Sequence, residues 1–303
     1  MSFIALARVL AGILALVGVG VALRATGLLK PEDAKPINTL MVYVALPALV
    51  FRTVHPAPLS WELAGIAGIA WAVTAAGFAL GWVLARALRL PPRTAGGFIL
   101  CAALGNTGYI GYPVVRTLLG EHALLQAIFF DVFGTVVALM TVGILVASRM
   151  GDHEGPVNPI RELLTFPGVV ALIVALALKP VAVPSAVSTW LDALARLVVP
   201  LIMVSVGLSL RPGVSRGSTV PLGVIAAVRL VALPLVALAV GSAFLPDRGA
   251  VRLVVLEAGM PSMMLSLVVG MRFKLDTDFI ATAIVTTSVL SIVSVPLLQM
   301  LVR

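Results

Sequence analysis

The chain has 303 residues, of which 60% are hydrophobic and only 11% are charged. Its mean hydropathy is +1.13. This composition excludes a soluble globular domain and predicts a polytopic membrane protein. The net charge of +8 does not indicate nucleic-acid binding, because the basic residues lie in ones and twos between apolar stretches. The single cysteine, Cys101, excludes an internal disulfide.

Windows of about 20 apolar residues predict an all-α fold with ten membrane spans. The first span is too long and continuous to be a cleaved signal peptide. The predicted spans cover residues 3–28, 36–54, 61–87, 95–119, 122–148, 160–180, 187–210, 217–245, 249–271 and 276–302. The hydrophilic residues that follow span five divide the spans into two groups of five, which suggests two repeats.

The two halves resemble each other in the positions of their prolines and interruptions. Pro47 in span two corresponds to Pro200 in span seven, and spans four and nine are both interrupted near the middle. Because five is an odd number, the second half must enter the membrane from the opposite side, which predicts an inverted repeat. We expect a first repeat at 1–150, a linker at 151–159 and a second repeat at 160–303. Spans four and nine would then cross near the midplane.

The distribution of lysine and arginine predicts the orientation in the membrane. The loops that follow odd-numbered spans hold more of these residues than the loops that follow even-numbered spans. We therefore expect the odd-numbered loops, including the linker at 151–159, to be cytoplasmic and both termini to lie outside.

Span four carries the sequence GNTGYIGYP at residues 105–113. Three glycines, a proline and four hydrogen-bonding side chains cannot form a comfortable helix in hydrocarbon, so the helix should break there. Backbone groups freed at this depth are tolerated only inside protein or beside a cavity, which predicts a binding site. The candidate substrate-binding residues in this span are Asn106, Thr107, Gly108, Tyr109, Gly111, Tyr112 and Pro113. The alternative is that the glycines serve close helix packing and the polar groups satisfy one another.

Span nine contains an acid in an apolar run, Glu257, four residues before Pro261. A carboxylate in this position is costly unless it is protonated, paired or bound to a cation. Glu257, Ser262 and Ser266 are candidate ligands of a coupling ion, and Pro261 and Ser262 are candidate substrate contacts. The structural alternatives are an ion pair of Glu257 with Arg252 or Arg229 and an acid that simply stays protonated.

Two further charges lie within predicted spans, Asp131 in span five and Arg229 in span eight. Intramembrane charges usually find partners, so we expect these two to pair with each other or with Arg116 and Glu257. Arg229 could instead hold a substrate carboxylate. No motif of a hydrolase, a zinc protease or a nucleotide-binding domain occurs in the sequence, so we do not expect an enzyme or an ATP-driven pump.

Residues 105–113 and the sequence from Ala258 to Pro261 resemble the two interrupted spans of the auxin efflux carrier family, and the resemblance covers essentially the whole chain. It implies a fold shared with bile acid sodium symporters and sodium/proton antiporters. In that fold a scaffold, here about 1–54 and 160–210, holds a transport domain, here about 61–148 and 217–303, which slides as an elevator. Asn106 matches the family's polar crossover position near the substrate carboxylate. Pro113 and Pro261 match its crossover prolines.

The chain departs from the plant carriers at two places. Its central loop is short, so regulation by loop phosphorylation is not expected. Glu257 stands where the plant carriers have an uncharged residue, and its surroundings are more similar to the sodium-site segment of the bile acid symporters. This similarity favours coupling to a cation.

The sequence therefore predicts a secondary active transporter of a small organic anion in the cell membrane. The substrate would be a mono- or dicarboxylate, auxin-like or similar to malate or malonate, carried by symport with sodium or protons. No other cofactor and no nucleic acid is expected, and the fold implies a homodimer formed through the scaffold helices. Two alternatives stay open: a cation/proton antiporter without organic substrate, using Glu257 and Asp131, and a membrane sensor that binds a ligand without moving it.

Overall fold

The computed structural model describes residues 15–152, 158–209 and 219–302, and helices make up most of them. No strand occurs in these residues, although one isolated antiparallel bridge joins Gly105 and Ser262. Within the described ranges, six helices are long and apolar enough to cross a membrane: Pro31–Val54, Trp61–Ala87, Ala123–Met150, Ser185–Ser205, Thr219–Phe244 and Thr277–Leu301. A bent pair, Pro159–Thr165 and Pro167–Ala177, forms a seventh candidate. The chain is thus an all-α, multi-pass membrane protein.

The remaining predicted spans are not continuous helices of membrane-spanning length. Span four consists of Pro92–Ala103 and Tyr112–Leu119, and span nine consists of Arg248–Ala258 and Leu265–Arg272. Residues 3–14 of span one lie outside the described part of the chain, and Ala15–Ala25 forms a shorter apolar helix. The arrangement of ten spans as an inverted repeat therefore stays a prediction.

The described residues fall into two compact units. One draws on Met1–Leu59 and Leu164–Arg211, and the other on Ser60–Leu163 and Pro212–Arg303. The roles of scaffold and transport domain that the sequence assigns to similar groups of spans stay predictions.

The first unit holds Pro31–Val54, Pro167–Ala177 and the helices Ser185–Arg196 and Val198–Ser209. Within it, the Ser205 hydroxyl donates a hydrogen bond of 2.7 Å to Asn38 Oδ1. A Cβ added at Gly20 would overlap the Val204 carbonyl and lie 2.9 Å from the Cα of Gly207. This close backbone approach is typical of membrane helices that pack through small residues.

The second unit holds both interrupted spans and the three long helices Trp61–Ala87, Thr219–Phe244 and Thr277–Leu301, together with Ala123–Met150. Trp61–Ala87 contains no proline, so it runs unbroken for 27 residues over the same bounds as the predicted third span.

Several helices contain π-helical turns, in which the backbone is wider than an α-helix. Those at Met41–Ala45, Thr107–Gly111 and Val228–Ala232 end two residues before a proline, and others occur at Phe130–Val136 and Leu139–Gly143. Proline lacks an N–H and its ring clashes with the carbonyl four residues earlier, which accounts for the widened turn before it. Such turns often occur at functional sites, and three of them carry residues of the site described next.

Candidate functional site

The two interrupted spans are joined at their breaks, Leu104–Asn106 and Gly259–Met264, which we call the paired breaks. The Asn106 N–H donates to the Pro261 carbonyl at 2.7 Å, and the Met263 N–H donates to the Leu104 carbonyl at 2.9 Å. The bridge between Gly105 and Ser262 lies between these two bonds. Backbone groups that leave one helix are thereby satisfied by the other break, as membrane burial requires.

Arg229 lies against the carbonyl groups of both breaks. Its guanidinium donates to the Ala103 carbonyl at 3.1 Å, to the Ala258 carbonyl at 2.9 Å and twice to the Met260 carbonyl, at 2.9 and 3.2 Å. Ala103 and Ala258 are the last residues of the two helices that enter the breaks. Helix C-terminal ends carry partial negative charge, so a buried arginine there is favourable. Only 2% of Arg229 is exposed.

Ser262 is held by two further hydrogen bonds. Its hydroxyl donates to the Cys101 carbonyl at 2.8 Å, and its N–H donates to Thr287 Oγ1 at 3.0 Å. Both Ser262 and Thr287 are fully buried. Ser262, which the sequence predicts to contact the coupling ion and the substrate, therefore already has hydrogen-bond partners. These partners fix the second break.

Asp131 lies on the π-helical segment Phe130–Val136 and contacts the segment Thr107–Gly111. The Thr107 hydroxyl donates to Asp131 Oδ1 at 2.5 Å, and the Tyr112 hydroxyl donates to Oδ2 at 2.7 Å. A Cβ added at Gly108 would lie 2.8 Å from Oδ2. Thr107 and Tyr112, predicted to contact substrate, are thus hydrogen-bonded to this carboxylate.

Glu257 contacts the same π-helical segment at another residue. A Cβ at Gly111 would overlap Oε2 of Glu257 and lie 2.8 Å from Oε1. The side chain is fully buried, and neither oxygen has a hydrogen-bond partner. No ion pair between Glu257 and Arg252 or Arg229 occurs in the described residues. An unpaired buried acid of this kind has full capacity to bind a proton or a cation.

Three other polar atoms at or beside the paired breaks also lack partners: Asn106 Nδ2, the Tyr109 hydroxyl and Ser266 Oγ. All three residues are buried. The amide and the phenol can donate hydrogen bonds, and the two hydroxyls can also accept them. Buried polar groups are normally paired, so unpaired ones on a broken helix indicate where a ligand would bind.

The expected ion pairs among Asp131, Arg229 and Arg116 do not form in the described residues. Arg116 instead pairs with Glu121, and both side chains are largely exposed. Asp131 takes hydroxyl donors and Arg229 takes backbone carbonyls. The expectation that intramembrane charges find partners holds for Asp131 and Arg229, but the partners are not the ones that the sequence suggested.

The structure thus brings together most of the residues that the sequence singled out. Pro261, Ser262, Ser266 and Glu257 lie on or beside the second break. Those on the first break, the turn that follows it or the start of the next helix are Asn106, Thr107, Gly108, Tyr109, Gly111, Tyr112 and Pro113. Arg116 does not join them. Thr287 was missed, although a hydroxyl in the middle of a long apolar span is a signal that could have drawn attention to it.

Comparison with known proteins places the chain among transporters. A family model described as membrane transport protein matches residues 4–299. An "Uncharacterized transporter" of Methanothermobacter thermautotrophicus is 31% identical over 98% of each chain. One of Methanocaldococcus jannaschii is 33% identical over 94% of this chain and 95% of the relative. A "Putative malonate transporter" of Rhizobium meliloti is 27% identical over 88% of this chain and 86% of the relative.

The family match spans nearly the whole chain, including both breaks, and agrees with the resemblance that residues 105–113 and 258–261 carry. The chain belongs to the membrane transport protein family, the family of the auxin efflux carriers.

Proposed function

We propose that this transporter is a secondary active carrier of a small organic anion, a mono- or dicarboxylate, which it binds at the paired breaks. In this proposal its ten spans form an inverted repeat with both termini outside. The unit that holds the breaks slides as an elevator against the other unit, which serves as the scaffold and the surface for dimerisation.

The observation that carries the proposal is a pair of buried, unpartnered donors, the Asn106 amide on the first break and the Tyr109 hydroxyl on the π-helical turn that follows it. Leaving a buried donor unpaired costs about 1 to 3 kcal/mol. A carboxylate has only acceptor oxygens, so it can relieve both donors. The name of the Rhizobium relative, at 27% identity, agrees with a dicarboxylate substrate.

Arg229 does not hold the substrate in this proposal, because all three of its guanidinium nitrogens donate to backbone carbonyls. Arg229 favours the binding of an anion indirectly. Without it, the carbonyl ends of two helices would present negative charge at the breaks, and they would repel a carboxylate. Neutral donors and the start of the helix after Asn106 are left to bind the anion.

Glu257 supplies the coupling in this proposal. A substrate carboxylate beside an ionised Glu257 would be repelled, since two like charges interact strongly where water is excluded. A proton or a sodium ion bound at Glu257, with Ser266 as a further oxygen ligand, removes this repulsion. Cation and substrate then favour each other's binding, which is the thermodynamic basis of symport.

Thermal unfolding of the purified protein in detergent tests the substrate and the coupling ion together. Malonate, malate and acetate would each be added in sodium, in potassium and at two pH values. A ligand that binds only the folded state raises its melting temperature, and the stabilisation grows with the logarithm of ligand concentration over Kd. We expect one carboxylate to raise the melting temperature, and to do so more in sodium or at the lower pH.

Asn106→Ala should abolish that shift while leaving the melting temperature without ligand nearly unchanged, because the amide nitrogen has no partner to lose. Asn38→Ala is the matched control, because Asn38 lies in the unit that does not hold the breaks. Its side chain accepts a hydrogen bond from Ser205 of the same unit. An undiminished carboxylate shift in Asn106→Ala would contradict the proposed site. Substrate-dependent uptake into proteoliposomes then establishes transport.

A cation/proton antiporter is a second candidate, favoured by the two buried carboxylates, Asp131 and Glu257, that contact the π-helical segment Thr107–Gly111. It predicts sodium-driven proton movement in proteoliposomes that contain no carboxylate. Asp131 is less suited to this role than Glu257, because two hydroxyls already occupy its oxygens.

A further inference from the structure

The charge of Arg229 is balanced by backbone groups alone. No acidic side chain forms an ion pair with it in the described residues, and its hydrogen bonds end on the carbonyls of Ala103, Ala258 and Met260. Two of these carbonyls terminate helices of 12 and 11 residues. Each helix end carries about half an elementary negative charge, so the two ends together balance one cation.

We propose that Arg229 is a resident cation that fixes the register in which the two breaks pair, and thereby positions the Asn106 amide. Arg229 contacts a carbonyl on each break, Ala103 on one side and Met260 on the other. The next backbone bonds along the breaks are those of the Gly105–Ser262 bridge and of the Asn106 N–H with Pro261. Because the pairing is antiparallel, Ala103 adjoins the end at which Met263 bonds Leu104, and Met260 adjoins the end at which Asn106 bonds Pro261. The guanidinium therefore contacts both ends of a short ladder, one of which holds Asn106.

Gly105 is the residue that allows the guanidinium to reach this position. A Cβ there would overlap Arg229 Nη2 and lie 3.1 Å from Cζ. The sequence suggests a conformational role for this glycine, but its φ is not in the left-handed region. Glycine is therefore required at this position because it leaves space for the Arg229 guanidinium. This gives the proposal a second residue through which it can be tested.

The carbonyl cage that Arg229 fills also defines a binding site for a cation when the side chain is removed. Three carbonyl oxygens at hydrogen-bond distance from a planar guanidinium favour a small guanidinium compound in its place. A larger quaternary ammonium ion offers no N–H donor and does not fit the same cage. The proposal therefore predicts selective chemical rescue of a truncated Arg229.

The experiment compares the melting temperature of Arg229→Ala with and without millimolar methylguanidinium, and with tetramethylammonium as the cation control. We expect Arg229→Ala to melt well below the unsubstituted protein and to recover in part with methylguanidinium only. Arg116→Ala is the matched arginine control, because Arg116 forms an exposed pair with Glu121. It should show no such recovery. A folded Arg229→Ala that does not respond to methylguanidinium, or responds equally to both cations, overturns the proposal.

A double-mutant cycle covers the case in which Arg229→Ala does not fold. Gly105→Ala should lower the melting temperature of the unsubstituted protein, and should lower it less in an Arg229→Lys background, where the Nη2 atom that Cβ would meet is absent. Gly223→Ala is the control, since a Cβ there meets nothing within 4 Å. Equal losses from Gly105→Ala in both backgrounds would overturn the proposal.

The proposed positioning of Asn106 is tested by a second measurement, the carboxylate-induced shift in melting temperature, which a loss of stability alone would not change. The ligand for this test is the carboxylate that raises the melting temperature of the unsubstituted protein. In Arg229→Ala, methylguanidinium should restore the shift in melting temperature that this carboxylate produces. The rescue of melting temperature needs no substrate, so it stands or falls separately from the transport proposal. Restored stability without a restored carboxylate shift would overturn the positioning role.

Discussion

Asp131 and Glu257 are two buried carboxylates that contact one π-helical segment, Thr107–Gly111, and they differ in their partners. Asp131 accepts hydrogen bonds from two hydroxyls, whereas neither oxygen of Glu257 has a partner. A Cβ at Gly108 would meet the first carboxylate, and one at Gly111 would meet the second. The same backbone turn thus has a hydrogen-bonded side and an open side.

This difference separates a carboxylate that stabilises the structure of the site, Asp131, from one that is available to bind a ligand, Glu257. A buried acid with two donors has little capacity for a further ligand, and its loss exposes the donors to an apolar interior. An acid without partners contributes little to the fold and can bind a proton or cation. We expect substitutions on the Asp131 side to change stability, and substitutions on the Glu257 side to change ligand response.

The largest effect is expected for Asp131→Asn. The substitution removes the charge from the acceptor of two hydroxyls, and the new amide nitrogen cannot accept from either of them. Hydrogen bonds to a charged group contribute about 1.5 to 3 kcal/mol each, so we expect a loss of about 3 kcal/mol in the free energy of unfolding. Denaturant unfolding in detergent micelles measures it. If Asp131→Asn loses no more free energy of unfolding than Glu257→Gln, the two carboxylates do not differ in their contribution to stability.

A pair of glycine substitutions comes next. Gly108→Ala should cost about 1 to 3 kcal/mol, because the overlapped Asp131 carboxylate is tied by Thr107 and Tyr112 and cannot move freely. Gly111→Ala creates a closer overlap, but the unpartnered Glu257 side chain can turn away. Unfolding of the two variants side by side checks the order. If Gly111→Ala is the more destabilising, the Glu257 side is as rigid as the Asp131 side.

Glu257→Gln should change the free energy of unfolding by less than about 1 kcal/mol, because the carboxylate has no hydrogen bond to lose. It should nevertheless abolish the dependence of carboxylate binding on sodium or pH. Thermal unfolding over the same panel of salts and pH values measures both. Glu62→Gln is the matched control, since Glu62 accepts a hydrogen bond from Gln126 away from the breaks. Cation dependence that survives in Glu257→Gln would place the coupling elsewhere.

The smallest effect is expected for Arg116→Gln. The sequence suggested Arg116 as a partner of Asp131, but Arg116 pairs with Glu121, and both side chains are largely exposed. Exposed ion pairs contribute about 0.2 to 1 kcal/mol, so the stability and the carboxylate response should barely change. A loss comparable with that of Asp131→Asn would mean that a cation, and not the two hydroxyls, stabilises the Asp131 side.

Much of the fold could be predicted from hydropathy, because a long apolar run has few alternatives in a bilayer. Trp61–Ala87 and Thr277–Leu301 agree with the predicted spans to within a residue or two. The break in span four was also predictable, since glycines and a proline with polar neighbours cannot continue a helix in hydrocarbon. Residues such as Asn106 and Glu257 were found by their polarity in an apolar run.

The partners of the charged groups could not be predicted from the sequence. Arg229 binds main-chain carbonyls, which every residue possesses, so no side-chain pattern indicates them. The hydroxyl partners of Asp131 lie on a π-helical turn before Pro113 and at the start of the helix that follows this turn. The glycines and the proline predict a break there, but they do not predict this widened geometry. Side-chain composition identified the residues of the site, and backbone geometry decided which of them are free.

The π-helical turns also make the site sensitive to the number of residues in the chain. Each residue of an α-helix rotates the side-chain direction by about 100°, and a π-helical turn accommodates a residue that an α-helical turn would not. Deleting one residue between Val228 and Pro234 would let the helix tighten, and Arg229 would then face another direction relative to the rest of Thr219–Phe244. Apolar composition would hardly change. In this chain, single-residue insertions and deletions in such turns are therefore expected to alter function more than most substitutions do.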